Sequence, residues 1–168
     1  MNKIKWMDRI KMCKSKHQKS VESFMKQAGQ EVPDLPTVPD PETCKLRAKL
    51  ILEEALETIE ALGVKVQVNH NLLENSEKVS PWEFHTVSEP DIAEVLDGCA
   101  DLSVVTIGTL SAFGMPDLPV LNMVDQSNLE KFEEGSYRRE DGKWMKPPTW
   151  KAPDFMYLWK YFLGETSY

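Results

Sequence analysis

The sequence predicts an all-α protein, a bundle of about four core helices with a small β-hairpin addition. Three observations carry that prediction. Long stretches with helical apolar spacing are each closed by a glycine, at Gly29, Gly63, Gly114 and Gly135. Residues suited to helix caps and first turns stand ahead of them, notably Asp40-Pro41-Glu42 and Pro116-Asp117. Near the end, Arg139-Glu140-Asp141-Gly142-Lys143-Trp144 places Asp-Gly where a tight hairpin would turn.

Taken in order, residues 1–14 form a basic segment with Lys3, Lys5, Arg9, Lys11 and Lys14. A first helix is expected from Ser15 to Gln27. Pro33, Pro36, Pro39 and Pro41 then enforce extended chain. A long helix should start at Pro41 and stop at Gly63. Val64 to Val68 alternates like a short strand, residues 69–80 are polar and irregular, and Trp82, Phe84 and Val87 suit a returning strand. Ser88, with Asp91 three residues on, should open a second long helix from Pro90 to Phe113. Another follows from Pro116 to about Glu134. A short helix around Asp154 to Phe162 is expected inside an aromatic tail, residues 147–168. Its Trp150, Phe155, Tyr157, Trp159, Tyr161 and Phe162 are candidates for an oligomer contact.

Composition bounds what such a chain does. Its 168 residues are 41% hydrophobic and 28% charged, as expected for one globular domain over residues 1–168. A net charge of −7 disfavours nucleic acid as a partner but is compatible with a nucleotide held through metal ions. Cys13, Cys44 and Cys99 form no zinc spacing, and an odd scatter of thiols suggests a cytoplasmic protein. No apolar run follows the basic start, and no stretch reads as a membrane span. His17, His70 and His85 are isolated, and there is neither a P-loop nor a GxSxG elbow.

The chemistry lies on the two longest helices. Glu53, Glu54 and Glu57 are neighbours at helical spacing, opposite a stripe of Leu52, Ala55, Leu56 and Ile59. Alone they could be a solvated face, although Leu46, Leu50 and Ala61 share their side. Glu94, Asp97 and Asp101 form a stripe on a helix that is otherwise apolar and carries no charge from Leu102 to Phe113. Such a helix is expected to be buried. Buried carboxylates repel one another and need compensation, which Mg²⁺ supplies through oxygen ligation. The competing reading is a half-exposed helix whose acids meet water.

Arg47-x-x-Leu50-x-x-Glu53-Glu54-x-x-Glu57, followed by Glu94-x-x-Asp97-x-x-x-Asp101, resembles the EExxE and ExxD pattern of the all-α nucleoside triphosphate pyrophosphohydrolases. The nearest look is to the MazG-like, phosphoribosyl-ATP-pyrophosphohydrolase-like subgroup. Val32 to Thr37 resembles its extended lead-in. Ser127-Asn128-Leu129-Glu130-Lys131 looks like its Ser-Asn-x-x-Lys motif, and residues 138–143 resemble its late hairpin. The similarity spans roughly Phe24 to Pro153.

The resemblance implies Mg²⁺-dependent hydrolysis of a nucleoside triphosphate to a monophosphate and pyrophosphate, with Mn²⁺ as an alternative ion. It implies that Glu54, Glu57, Glu94 and Asp97 are metal ligands and that Glu53 is a ligand or the base for water. Asp101 is the second candidate for the motif aspartate, and in that register Gly98 occupies the motif glutamate position. The gap between Glu57 and Glu94 is longer than usual because of the Val64–Glu89 insertion. Asn128 and Lys131 are implied substrate contacts. Arg139, Lys143 and Lys146 are offered as phosphate contacts from the hairpin. Trp82 and Trp144 are offered as stacking rings, against packing under a loop.

A homodimer or homotetramer, and no membrane partner, completes the expectation. The rivals are phosphoribosyl-ATP as the true substrate, a silent nucleotide-sequestering protein, and a plain helical interaction module. A ferritin-like di-iron bundle lacks its Glu-x-x-His pairs.

Overall fold

A computed structural model describes residues 3–68, 81–140 and 142–166. Six helices and two small antiparallel hairpins appear among them: α1 (Lys3–Met12), α2 (Lys16–Gln27), α3 (Pro41–Ala61), β1 (Val64–Val68), β2 (Trp82–Thr86), α4 (Ile92–Ala112), α5 (Asp117–Glu130), β3 (Tyr137–Arg138), β4 (Trp144–Met145) and α6 (Phe155–Leu163). The all-helical core with small β additions is as predicted. Residues 69–80, expected to be irregular, and Asp141 of the Asp-Gly turn lie outside the described residues. The basic segment contains α1, a helix not anticipated from its composition.

The chain divides into two compact units, Met1–Pro39 with Ile107–Tyr168, and Asp40–Thr106. In the first, Ile10, Met115, Leu158 and Phe162 form a buried cluster, flanked by Cys13, Leu35, Leu110, Phe113, Val120, Met123, Trp159 and Tyr161. Within the aromatic tail Leu158 and Phe162 therefore fill a core, Trp159 and Tyr161 pack against it, and Phe155 remains exposed. The helix spacing of α6 turns Leu158 and Phe162 to one side, and closing that side removes them from water.

Buried polar groups complete this unit. Ser15 caps α2 by accepting from the Gln18 N–H. The Gln18 amide donates to Ser111 Oγ at 3.1 Å and to the Met115 carbonyl at 2.8 Å, and its oxygen accepts the Asp117 N–H at 2.8 Å. Asp117 in turn accepts from the Ser15 and Leu118 N–H groups at 2.8 and 2.9 Å. Both ends of the Gln18 amide thus find partners, as burial requires. The proline-rich stretch lies against the turn after α4. There Gly114 has φ +66°, and a Cβ would come within 2.2 Å of the Leu35 carbonyl oxygen.

The second unit is built on α3, capped by Asp40, which accepts from the Glu42 and Thr43 N–H groups. These bonds, with that of the Thr43 hydroxyl, hold the Asp40 carboxyl below its usual range. Val64 to Val68 pairs with Trp82 to Thr86, with Val66 opposite Phe84. The Val87 N–H donates to the Gly63 carbonyl at 2.8 Å and the Asp91 N–H to the Ala61 carbonyl at 2.9 Å. The hairpin therefore delivers the chain back to the end of α3. Asp91, not Ser88, caps α4, accepting from the Ala93 and Glu94 N–H groups.

Candidate active site

Two close contacts and one charge interaction set α3 against α4. The Asp91 N–H meets the Ala61 carbonyl. At Gly98, an added Cβ would lie 2.5 Å from Thr58 Oγ1 and 3.2 Å from Thr58 Cα. Farther on, Asp101 acts on Glu54. The contacts run backwards along α3 and forwards along α4, so the helices are antiparallel. The Thr58 hydroxyl donates to the Glu54 carbonyl at 2.7 Å, tying the crossing to the turn that carries the acid.

Gly98, which entered the sequence only as a motif position, is here a contact between the two helices. Glycine in a helix interior costs about 1 kcal/mol relative to alanine, so its presence there asks for a reason. Here the reason is close backbone approach. A side chain at residue 98 would push α4 away from Thr58 and separate the two acidic stripes.

Glu54 is the focus of those stripes. Partial burial raises its carboxyl pKa, and the charges of Asp101, Glu57, Glu53 and Asp97 raise it further, Asp101 most among them. Five predicted site residues thus meet electrostatically across two helices. Glu94 does not join them. It sits in the first turn of α4, level with Ala61 by the antiparallel register. Glu53 is exposed and has Lys49 Nζ at 3.5 Å from its Oε1. Arg47, at the head of the motif, is buried, and burial lowers its pKa.

The expectation that α4 is buried nearly all round is corrected. Ile92 and Leu96 are each 68% exposed. Glu94 and Asp97 are exposed too, and Asp101 is half-buried. The apolar sequence reflects a face that this single chain leaves open. By length and composition α4 also qualifies as a candidate membrane span, at odds with the reading that no stretch does. Its three carboxylates all fall in the first ten residues, so the uncharged part begins only at Leu102.

The acids provide only carboxylate oxygens, the donors that Mg²⁺ prefers. Among the described residues, no three His, Cys, Asp or Glu side chains are already gathered as a metal site. A cavity lined by Leu56, Ile59, Val64, Val66 and Val87, with Glu60 and Lys65, contains none of the predicted site residues.

The remaining predicted residues belong to the first unit. Lys131 Nζ donates to Asn128 Oδ1 at 2.7 Å in the last turn of α5. Arg139 and Lys143 flank the turn of the β3–β4 hairpin, where the Arg139 N–H donates to the Lys143 carbonyl at 2.8 Å. Trp144 packs edge-on to Phe132 at 5.2 Å, the packing role weighed for it in the sequence.

A family model described as phosphoribosyl-ATP pyrophosphohydrolase matches residues 21–128. No curated protein matches the chain.

Proposed function

The chain belongs to the phosphoribosyl-ATP pyrophosphohydrolase family, and on that footing we propose that its substrate is a nucleoside triphosphate, cleaved between the α and β phosphates. Members of the family are pyrophosphohydrolases, hydrolases of acid anhydrides that generally depend on a divalent metal. The observation that carries the proposal is Glu54, with its pKa raised by burial and by four surrounding carboxylates from two helices. Such a concentration of negative charge destabilises the free protein and is relieved by cations.

Glu54, Glu57, Asp97 and Asp101 would hold Mg²⁺, with Glu94 a peripheral contributor. When bound, the ion would neutralise phosphate charge and favour ionisation of a water. Glu53 accepts the proton of the attacking water. The water oxygen bonds to the α phosphorus, the bridging P–O bond breaks, and pyrophosphate leaves with the bond's electrons. Asn128, Lys131, Arg139 and Lys143 are proposed to contact the substrate.

The matched segment ends at residue 128, so the β3–β4 hairpin lies beyond it. With the insertion between α3 and α4, this favours a nucleoside triphosphate over phosphoribosyl-ATP, the second reading. We also propose a homo-oligomer in the cytoplasm. α3 leaves Leu46, Leu52, Leu56 and Leu62 exposed, and α4 leaves Ile92 and Leu96 exposed. Open apolar faces of this kind suit a second copy.

Pyrophosphate release from a panel of ribo- and deoxyribonucleoside triphosphates, with phosphoribosyl-ATP alongside, tests the substrate. A triphosphate should be turned over faster than phosphoribosyl-ATP; the reverse order establishes the second reading. Glu57→Gln and Asp101→Asn should each reduce turnover by about 10²-fold or more, the scale of losing groups that stabilise transition-state charge. Full turnover in both variants removes these acids from the mechanism. Tight nucleotide binding without pyrophosphate release would indicate sequestration.

A further inference from the structure

The positive charge of this acidic chain is concentrated at one end. Residues 1–27 carry eight of its twenty Lys and Arg, but only Asp8 and Glu22 of its twenty-seven Asp and Glu. Of those two acids, Glu22 is buried and pairs with Lys14 at 2.6 Å, and Asp8 lies on α1. The net charge of −7 therefore conceals a local excess of the opposite sign.

Helix geometry gathers that excess on one side of α2. With about 3.6 residues per turn, Lys16, Lys19, Ser23, Lys26 and Gln27 share a side opposite Gln18, Val21, Glu22 and Met25. The second set is buried and the first is exposed. The outward side thus presents ammoniums and neutral polar groups with no acid among them. Neither these lysines nor the exposed Lys11 of α1 pair with a carboxylate among the described residues. Lys16 and Lys19, three residues apart, repel each other, and an anionic partner removes that cost.

An aromatic ring stands at the edge of this side. Phe24, one turn before Gln27, is 60% exposed. Cations that track a backbone, beside a ring on which a base can stack, are the two elements that hold single-stranded nucleic acid. Lys16 to Lys26 spans about 15 Å of helix, the length of about four nucleotides at roughly 3.4 Å each. A bilayer fits less well. Interfacial helices sink a broad apolar face into lipid, whereas Val21 and Met25 are buried in the fold and Phe24 is the one large hydrophobe that α2 exposes.

We propose that the outward side of α2, formed by Lys16, Lys19 and Lys26 with Phe24, is a docking surface for single-stranded nucleic acid. It uses residues of the first compact unit only and none of the acids of α3 and α4.

The test is fluorescence anisotropy of a short single-stranded oligodeoxythymidylate with a 5′-hydroxyl, titrated with the full-length chain in EDTA. The wild type should bind saturably, and log affinity should fall against log salt with a slope of about −2, as expected for three neutralised phosphates on a single strand. Lys19→Glu combined with Lys26→Glu should weaken binding about tenfold or more. Phe24→Ala should weaken it about tenfold, while affinity for the corresponding duplex, whose bases are already stacked, should stay within about twofold. Lys65→Gln, at an exposed lysine of the second unit, is the control and should change nothing. Absence of saturable binding would overturn the proposal, and so would wild-type affinity in the double variant. Equal weakening by Lys65→Gln would overturn it by showing only a diffuse charge effect. Unchanged single-strand affinity in Phe24→Ala would do the same, as would tighter capture by phosphatidylglycerol vesicles, which would make α2 a membrane-docking helix. The strand has no triphosphate and no metal is present, so failure of the enzymatic reading and failure of this surface are separate results.

Discussion

The two compact units spend their apolar residues differently. The unit formed by Met1–Pro39 and Ile107–Tyr168 buries Ile10, Val21, Met25, Ile107, Met115, Leu158 and Phe162. The Asp40–Thr106 unit has two long helices and a hairpin, yet Val105 is its only buried hydrophobe among the described residues. Trp82, Phe84, Ile92 and Leu96 are at least half exposed. The unit that carries the acidic chemistry thus has little core of its own. Its geometry depends on a close helix contact at Gly98 and on what covers its open faces. The other unit is held by burial and by a satisfied polar network.

That contrast can be broken by substitution. Phe162→Ala should cost the most, about 3–5 kcal/mol by the loss of a fully buried ring, read as a large drop in melting temperature. A drop no larger than that of a surface change would mean that the first unit lacks the core described. Next comes Gly98→Val. Overpacking costs about 1–3 kcal/mol, and separating the acids should reduce turnover by more than that stability loss explains. Activity equal to wild type in a folded variant would show that the close approach is dispensable.

Leu96→Glu sharpens the comparison at an open face. In an isolated chain it should be nearly neutral, within about 0.5 kcal/mol. If a second copy covers α4, sedimentation should show a shift toward monomer, and an unchanged mass would remove α4 from the interface.

The one effect of opposite sign belongs to Glu54→Gln. A carboxyl whose folded pKa is raised destabilises the fold when ionised, so removing its charge should stabilise the metal-free chain at neutral pH. The melting temperature should rise by about 1–3 °C, a modest gain because the group is only half-buried. The gain should shrink as pH falls through the raised Glu54 pKa, where the wild-type carboxyl becomes protonated and loses the same penalty. A gain that grows in acid would contradict the sign. Mg²⁺ should stabilise the wild type more than this variant, by mass action.

Much of the fold was legible along the chain. Asp40 and Pro41 marked the start of α3, and Gly63 its end, because capping and positive φ are local properties. Acid spacing at three and four residues gave Glu53, Glu54 and Glu57 one face of a helix. The apolar character of α4 was read correctly, but its burial was not. Periodicity shows that a face avoids water without showing what covers it. In the aromatic tail, likewise, the sequence does not separate the buried Phe162 from the exposed Phe155, since exposed and buried rings look alike in sequence. α1 is not marked by any cap or glycine stop in the sequence, and its charges interrupt the apolar residues between them.

The sequence alone therefore determined the helical class, the main breaks, and which residue types could bind a metal and phosphate, all consequences of short-range rules. Only the tertiary structure decided which of those acids meet. Antiparallel packing through Gly98 brings Asp101 to Glu54 and leaves Glu94 toward Ala61. In the other unit, Lys131 and Lys146, fifteen residues apart, stand over one indole. Charges interact through space, and the distances that matter there are set by packing, not by position along the chain.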